Sequence, residues 1–326
     1  MTRKHAYRLG FLLWVAGMGM AHAGGPALPQ SRVCLSHFLA QEWDEAVSVC
    51  RPLAEEGNDP AAHFVMGTLW EEGKALPQDL VKALHHYTLA AKAGRPEAQF
   101  NLGLMFQRGR GVRQDADGAQ LWHRRSAEQG FAPAMHHLAS LLPLTEAQAW
   151  YRRAAEAGYT PSMNSLAQLL SQLSSEGGER EKNLAESVTW WRQGAEKGDG
   201  ESAFWLALAL MEGRGVPADL VQARAWLEKA AAQGSADAHL MLGRLYRSGH
   251  GVAKDEEKSV DHLRQAAEKG LAPAQYNLGM LLLTASPRFS RRDEAMIWLR
   301  RAGQSGFPPA VDLLDRLKGS SGSETP

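Results

Sequence analysis

The residues of this 326-residue chain whose types and spacing could do chemistry are its Gly-x-Gly loops, its histidines and its two cysteines. The loops Gly109-Arg110-Gly111, Gly213-Arg214-Gly215 and Gly249-His250-Gly251 invite a phosphate-binding reading. A phosphate loop needs a strand before the glycines and Gly-Lys-Ser/Thr after them, and a dinucleotide fingerprint needs a third glycine. Neither context is present, so these glycines read as turns. His85-His86, His123 and His136-His137 lie in neighbouring stretches and would have to converge to hold a metal. Adjacent histidines point to different faces of a helix, His-Glu-x-x-His is absent, and no Cys or carboxylate stands with them at helical ligand spacing. They read as scattered surface or groove histidines, and no metal or other cofactor is assigned. Ser-x-x-Lys, the serine β-lactamase arrangement, is also missing, and no catalytic residue is assigned.

Cys34 and Cys50 are the only cysteines. Ser31–Ala40 and Trp43–Glu56 read as two helices broken near Gln41-Glu42. The cysteines lie eight residues on either side of Glu42, so an antiparallel hairpin brings them level. A disulfide is expected if the chain enters an oxidising compartment.

The start of the chain points to such a compartment. Arg3, Lys4 and Arg8 precede an apolar run, Leu9–Met20, and Ala21-His22-Ala23 has the small-x-small pattern of a cleavage site. Residues 1–23 are expected to be a secretory signal peptide, too short to span a bilayer comfortably. No later apolar run is long enough to span one. Lys+Arg and Asp+Glu are both 36, so losing three basic residues leaves a net charge of −3. That balance lacks the basic footprint of a nucleic-acid binder. A soluble chain, periplasmic or secreted, is expected.

The elements that must carry these residues repeat. Ala98–Gly130, Ser202–Gly234 and Ala238–Gly270 share one pattern: two helical halves joined by a Gly-rich loop. Glycines closing such units fall at 57, 94, 130, 158, 198, 234, 270 and 306, with spacings of 37, 36, 28, 40, 36, 36 and 36. A period of that size marks stacked supersecondary units. A capping hairpin (24–57) is expected to precede seven units, with a last half-unit at Pro308–Lys318 and a disordered polar tail at 319–326. The third unit loses its loop to Leu141-Leu142-Pro143-Leu144-Thr145. The fourth is longer, and residues 174–183 are expected to form an exposed polar loop.

In the clean unit Ala98, Leu102 and Phe106 form one buried stripe. Gly103 sits in mid-helix at a cost of roughly 1 kcal/mol relative to Ala, and glycine recurs there at 67, 243 and 279. Close approach of two helix backbones is the simplest reason. Gly109 and Gly111 end the helix at positive φ, and Val112 tucks under the turn. Asp115, Asp219 and Asp255 stand where a carboxylate caps the second helix. Ala119, Trp122 and Ala127 continue a stripe that Gly130 stops.

The resulting pattern, A-x-x-x-L-G-x-x-Y/F-x-x-G-x-G-V-x-x-D-x-x-x-A-x-x-W/Y-x-x-x-A-A-x-x-G, resembles the Sel1-like repeat family over residues 58–310, a family similar to tetratricopeptide repeats. The resemblance implies an all-α, right-handed α/α solenoid of about seven helix-turn-helix repeats, used as a non-catalytic adaptor or scaffold in bacterial envelope or secretory complexes. Two alternatives stand beside it. One is an enzyme that binds or hydrolyses β-lactams or the cell wall, since some cysteine-rich members of the family bind or cleave β-lactams, although this chain has one cysteine pair rather than one per repeat. The other is a secreted effector engaging a host protein.

In such stacks the first helices line the concave face. The column equivalent to Asn101 reads Val65, Asn101, His137, Ser165, Trp205, Met241 and Asn277, and the column of Gln107 includes Met211 and Arg247. These columns vary in chemistry, as a recognition surface does. Asn101, Gln107, His137, Trp205, Met211, Met241, Arg247 and Asn277 are therefore the expected contacts for a protein or peptide partner. Trp205 and Met211 are the strongest anchors, with packing of Trp205 between units the competing reading.

Overall fold

A computed structural model describes residues 29–173, 178–284 and 291–321. The expected signal peptide and residues 322–326 lie outside them. All regular structure among the described residues is helical. Two compact units divide the chain, residues 1–157 and 158–326.

The first unit opens with α1 (Pro29–Leu39) and α2 (Trp43–Glu55), the expected hairpin, and Cys34 and Cys50 are bonded to one another with both side chains fully buried. Three helix pairs follow: α3 (Pro60–Glu72) with α4 (Leu80–Lys92), α5 (Pro96–Arg108) with α6 (Ala116–Glu128), and α7 (Ala132–Leu141) with α8 (Leu144–Glu156). The second unit holds α9 (Thr160–Gln172) with α10 (Gly178–Glu196), α11 (Gly200–Glu212) with α12 (Leu220–Ala232), α13 (Ala236–Ser248) with α14 (Glu256–Glu268), α15 (Ala272–Thr284) with α16 (Arg292–Gln304), and a last helix α17 (Pro308–Ser321). The loop expected at 174–183 is mostly not a loop, because α10 begins at Gly178 and takes up the polar residues as its exposed first turns. The last helix also runs beyond the expected end at Lys318.

Local chemistry sets the helix ends. Gly109 closes α5 at φ 64° and Gly111 turns the loop at φ 69°, both in the left-handed region that glycine occupies without penalty. A Cβ on Gly111 would lie 2.4 Å from the Leu80 carbonyl oxygen, so the loop also presses on the preceding repeat. Asp115 accepts from the Gly118 amide at 3.0 Å, and Asp79, Asp219 and Asp255 cap their helices likewise.

Candidate functional site

The core between the two helices of a repeat is a size match at one pair of columns, twenty residues apart in the regular repeats. Gly67 faces Tyr87, Gly103 faces His123, Gly243 faces Leu263 and Gly279 faces Leu299. A Cβ on Gly103 would lie 2.7 Å from the His123 ring, and one on Gly67 would lie 2.7 Å from that of Tyr87. The recurring glycine thus makes room chiefly for a large side chain of the partner helix, not for its backbone. His123 is consequently fully buried, with neither ring nitrogen hydrogen-bonded. His86 is buried too. Both depart from the expected surface or groove histidines, whereas His85 is exposed as expected. The signal that places His123 is its column, occupied elsewhere by Tyr87, Trp191 and leucines. Trp122, expected in the core stripe, is only half-buried and carries the Arg125 guanidinium 4.7 Å over its ring.

That same column governs the expected partner contacts. His137 stacks on His123 of the preceding repeat, with ring centroids 5.5 Å apart and planes at 28°, and meets Phe100 edge-on at 5.2 Å. Trp205 stacks on Trp191 at 5.9 Å and 15°, while the Trp191 indole nitrogen donates to Asn164 Oδ1 at 3.2 Å. Asn101 hydrogen-bonds to the Tyr87 hydroxyl, which also donates to Glu71 Oε2 at 2.8 Å. Met211 and Met241 are half-buried against the core that contains Leu206, Leu227 and Leu242. Each of these side chains therefore has one flank on a neighbouring helix and one flank partly open. Asn277 and Gln107 are half-buried, and the Gln107 carbonyl accepts from the Gln114 side chain at 2.9 Å. Arg247 alone of the eight is exposed. Val65, in the Asn101 column, is fully buried.

Burial holds the clustered imidazoles neutral. The pKa of His123 is lowered to about 3 by desolvation, then by His137 and Arg108. Desolvation lowers His136 to about 3 and His137 to about 4, with His137 adding to the first effect and Arg108 to the second. A neutral, aromatic-rich face offers stacking and hydrogen bonding rather than ionic capture. No group of three or more His, Cys, Asp or Glu among the described residues gathers on one point as a metal centre would.

The Sel1 repeat model matches residues 60–94, 96–131, 144–159, 160–199, 200–235, 236–271 and 272–307. The chain belongs to the Sel1 repeat family. Its third repeat matches only through the second helix, where the loop is lost. A protective antigen of uropathogenic Escherichia coli strains displaying an SLR fold is 30% identical, with a TM-score of 0.75 over 93% of this chain. This chain spans 65% of the length of that antigen. A Sel1 repeat protein from Oxalobacter formigenes is 29% identical, with a TM-score of 0.64 over 74% of this chain and 97% of its own. No curated protein matches. The fold is an all-α repeat solenoid, of a kind that generally serves as a protein-interaction scaffold and is typically non-catalytic. No described helix is long and apolar enough to cross a membrane.

Proposed function

We propose that this Sel1 repeat protein is a non-catalytic adaptor of the bacterial cell envelope, periplasmic or secreted, that holds protein or peptide segments against its first-helix faces. The observation that carries the reading is the chemistry of one column. Packing of the repeat restricts the two columns that follow it to Leu or Met and to Gly or Ala, whereas this column offers Asn101, His137, Trp205, Met241 and Asn277, each half-buried with a partly open flank. Half-buried aromatic and Met side chains on a rigid support bind with little loss of conformational freedom. Export is supported by the leader-like residues 1–23 and by the bonded Cys34–Cys50 pair. The similar E. coli protein is a protective antigen, which fits an exported chain.

Arg247 provides the cleanest test, because it is exposed and its replacement disturbs no packing. Arg247→Glu is expected to retain the melting temperature within a few degrees while losing the proteins that crosslink to the wild type in the exported fraction. An unchanged set of crosslinked proteins contradicts binding on this face of the second unit.

A further inference from the structure

Two histidine pairs occupy equivalent places in the first and sixth repeats. His63 Nδ1 and His86 Nδ1 lie 2.9 Å apart, and His239 Nδ1 and His262 Nδ1 lie 3.0 Å apart. Histidine enters the two columns together, whereas in the other repeats the second-helix column stays tryptophan while the first-helix column varies among Gln99, Met135, Met163, Ala203 and Gln275. Where the second helix carries Trp122 or Trp298, the first helix carries Gln99 or Gln275, whose amide donates to the Ala91 or Ala267 carbonyl at 3.1 or 3.2 Å. Only the first and sixth repeats place histidine in the first-helix column, and only they place histidine in the second-helix column. A helix tie alone requires one such residue, as the glutamines show. The paired change needs a further reason.

We infer that each pair is a two-imidazole site for a divalent transition metal of the zinc or copper type, with water completing the coordination shell. The first ring of each pair is already oriented as metal-bound histidines are. His63 Nε2–H donates to Asn58 Oδ1 at 3.0 Å, and the His239 ring bonds to the Ala231 carbonyl. At His63 the oxygen acceptor on Nε2 fixes the tautomer and leaves the Nδ1 lone pair facing His86. Without metal, His86 Nδ1–H donates into that lone pair. With metal, the His86 proton relocates to its own Nε2, both Nδ1 lone pairs face the ion, and no net proton is released. Metal–nitrogen bonds of about 2.0–2.1 Å require the two nitrogens to separate by only a few tenths of an ångström.

Access and charge are compatible with this. The first pair borders an open dent lined by Glu55, Asn58, His85 and Leu89, and the second pair is half-buried. Burial lowers the pKa of all four rings, His86 to about 4, which keeps the lone pairs free near neutral pH. Asp59 favours a cation at the first pair and Arg51 opposes it; Asp261 and Glu228 favour one at the second, Lys258 and Lys269 oppose it. Imidazole nitrogen suits zinc and copper, with copper the tighter.

The test is calorimetric titration of tag-free full chain with ZnCl2 and with CuCl2 at pH 7.5. Two equivalents per chain are expected, and His86→Trp and His262→Trp should each remove one, weakening that site at least tenfold. Tryptophan already stands at this position in all five other repeats, so the helices are expected to persist, and circular dichroism checks it. Should His86→Trp unfold, His63→Gln, the residue of Gln99, removes the same ligand pair. No binding by the wild type, or two equivalents retained by the double variant, overturns the assignment. A single equivalent abolished by His262→Trp alone overturns it for the first pair.

Discussion

Gly103 and His123 together show what one residue decides here. A mid-helix glycine is worse than alanine by about 1 kcal/mol on an exposed surface, yet a methyl group on Gly103 would meet the His123 ring at 2.7 Å. Gly103→Ala is therefore expected to destabilise the protein, by about 1–3 kcal/mol as overpacking does, read from the urea midpoint. A gain in stability would show that the ring moves aside without cost. His123 makes a second statement, through protons. Its folded pKa, about 3, lies below the unfolded value of 6.5, as do those of His136 and His137. As pH falls, the unfolded chain takes up these protons first, so the stabilisation present above pH 6.5 is lost progressively between 6.5 and about 3. Each proton contributes a slope of up to about 1.4 kcal/mol per pH unit in that window. His123→Leu, the side chain that faces Gly243 and Gly279 in later repeats, is expected to flatten the acid limb of a stability–pH profile. A profile unchanged by that substitution would mean that His123 is already protonated or exposed.

Helices, rather than residues, are where the sequence was most legible. The period of 36, the glycine stops and the aspartate caps locate nearly every helix end, because each mark answers a local need of the backbone. Asp199, whose carboxylate accepts from the Ser202 amide at 2.7 Å, illustrates the scale of such marks. Asp199→Ala is expected to cost about 1 kcal/mol, seen as a lower thermal midpoint. The polar stretch after residue 177 has the composition of a loop yet is helical from Gly178, because composition alone does not distinguish an exposed helical turn from a loop. Contacts between repeats were less legible for a different reason. Repeat columns reveal which positions are free of the shared packing, but not that Trp205 uses its freedom to stack on Trp191, or His137 on His123. Those stacks join residues of successive repeats, and their chemistry changes from repeat to repeat, so no periodicity announces them. The His63–His86 and His239–His262 pairs lie within single repeats, and only two of the seven repeats carry them, so the shared pattern does not announce them either.

For the whole molecule, stacking explains both the need for a capped end and the surface left for partners. The disulfide of the α1–α2 hairpin shares one buried cluster with Ala46 of α2 and with Phe64 and Val65 of the first repeat, and Ser31 donates to Asp59 Oδ2 at 2.7 Å. The bond spans a sequence separation of 16, and Cys34→Ser with Cys50→Ser is expected to cost about 3 kcal/mol by the chain-entropy model, measured in an oxidising buffer. Reducing agent should then destabilise the wild type and leave the double variant unaffected. The central claim, partner capture on the first-helix faces, is tested most directly by site-specific photocrosslinking in cells that express the chain. A photoreactive residue at Arg247 or Met241 is compared with one at Gln222, on the exposed side of a second helix. Discrete adducts with the same partner from 247 and 241, and none from 222, are the predicted result. Adducts of equal yield at all three positions, or from 222 alone, would contradict the account.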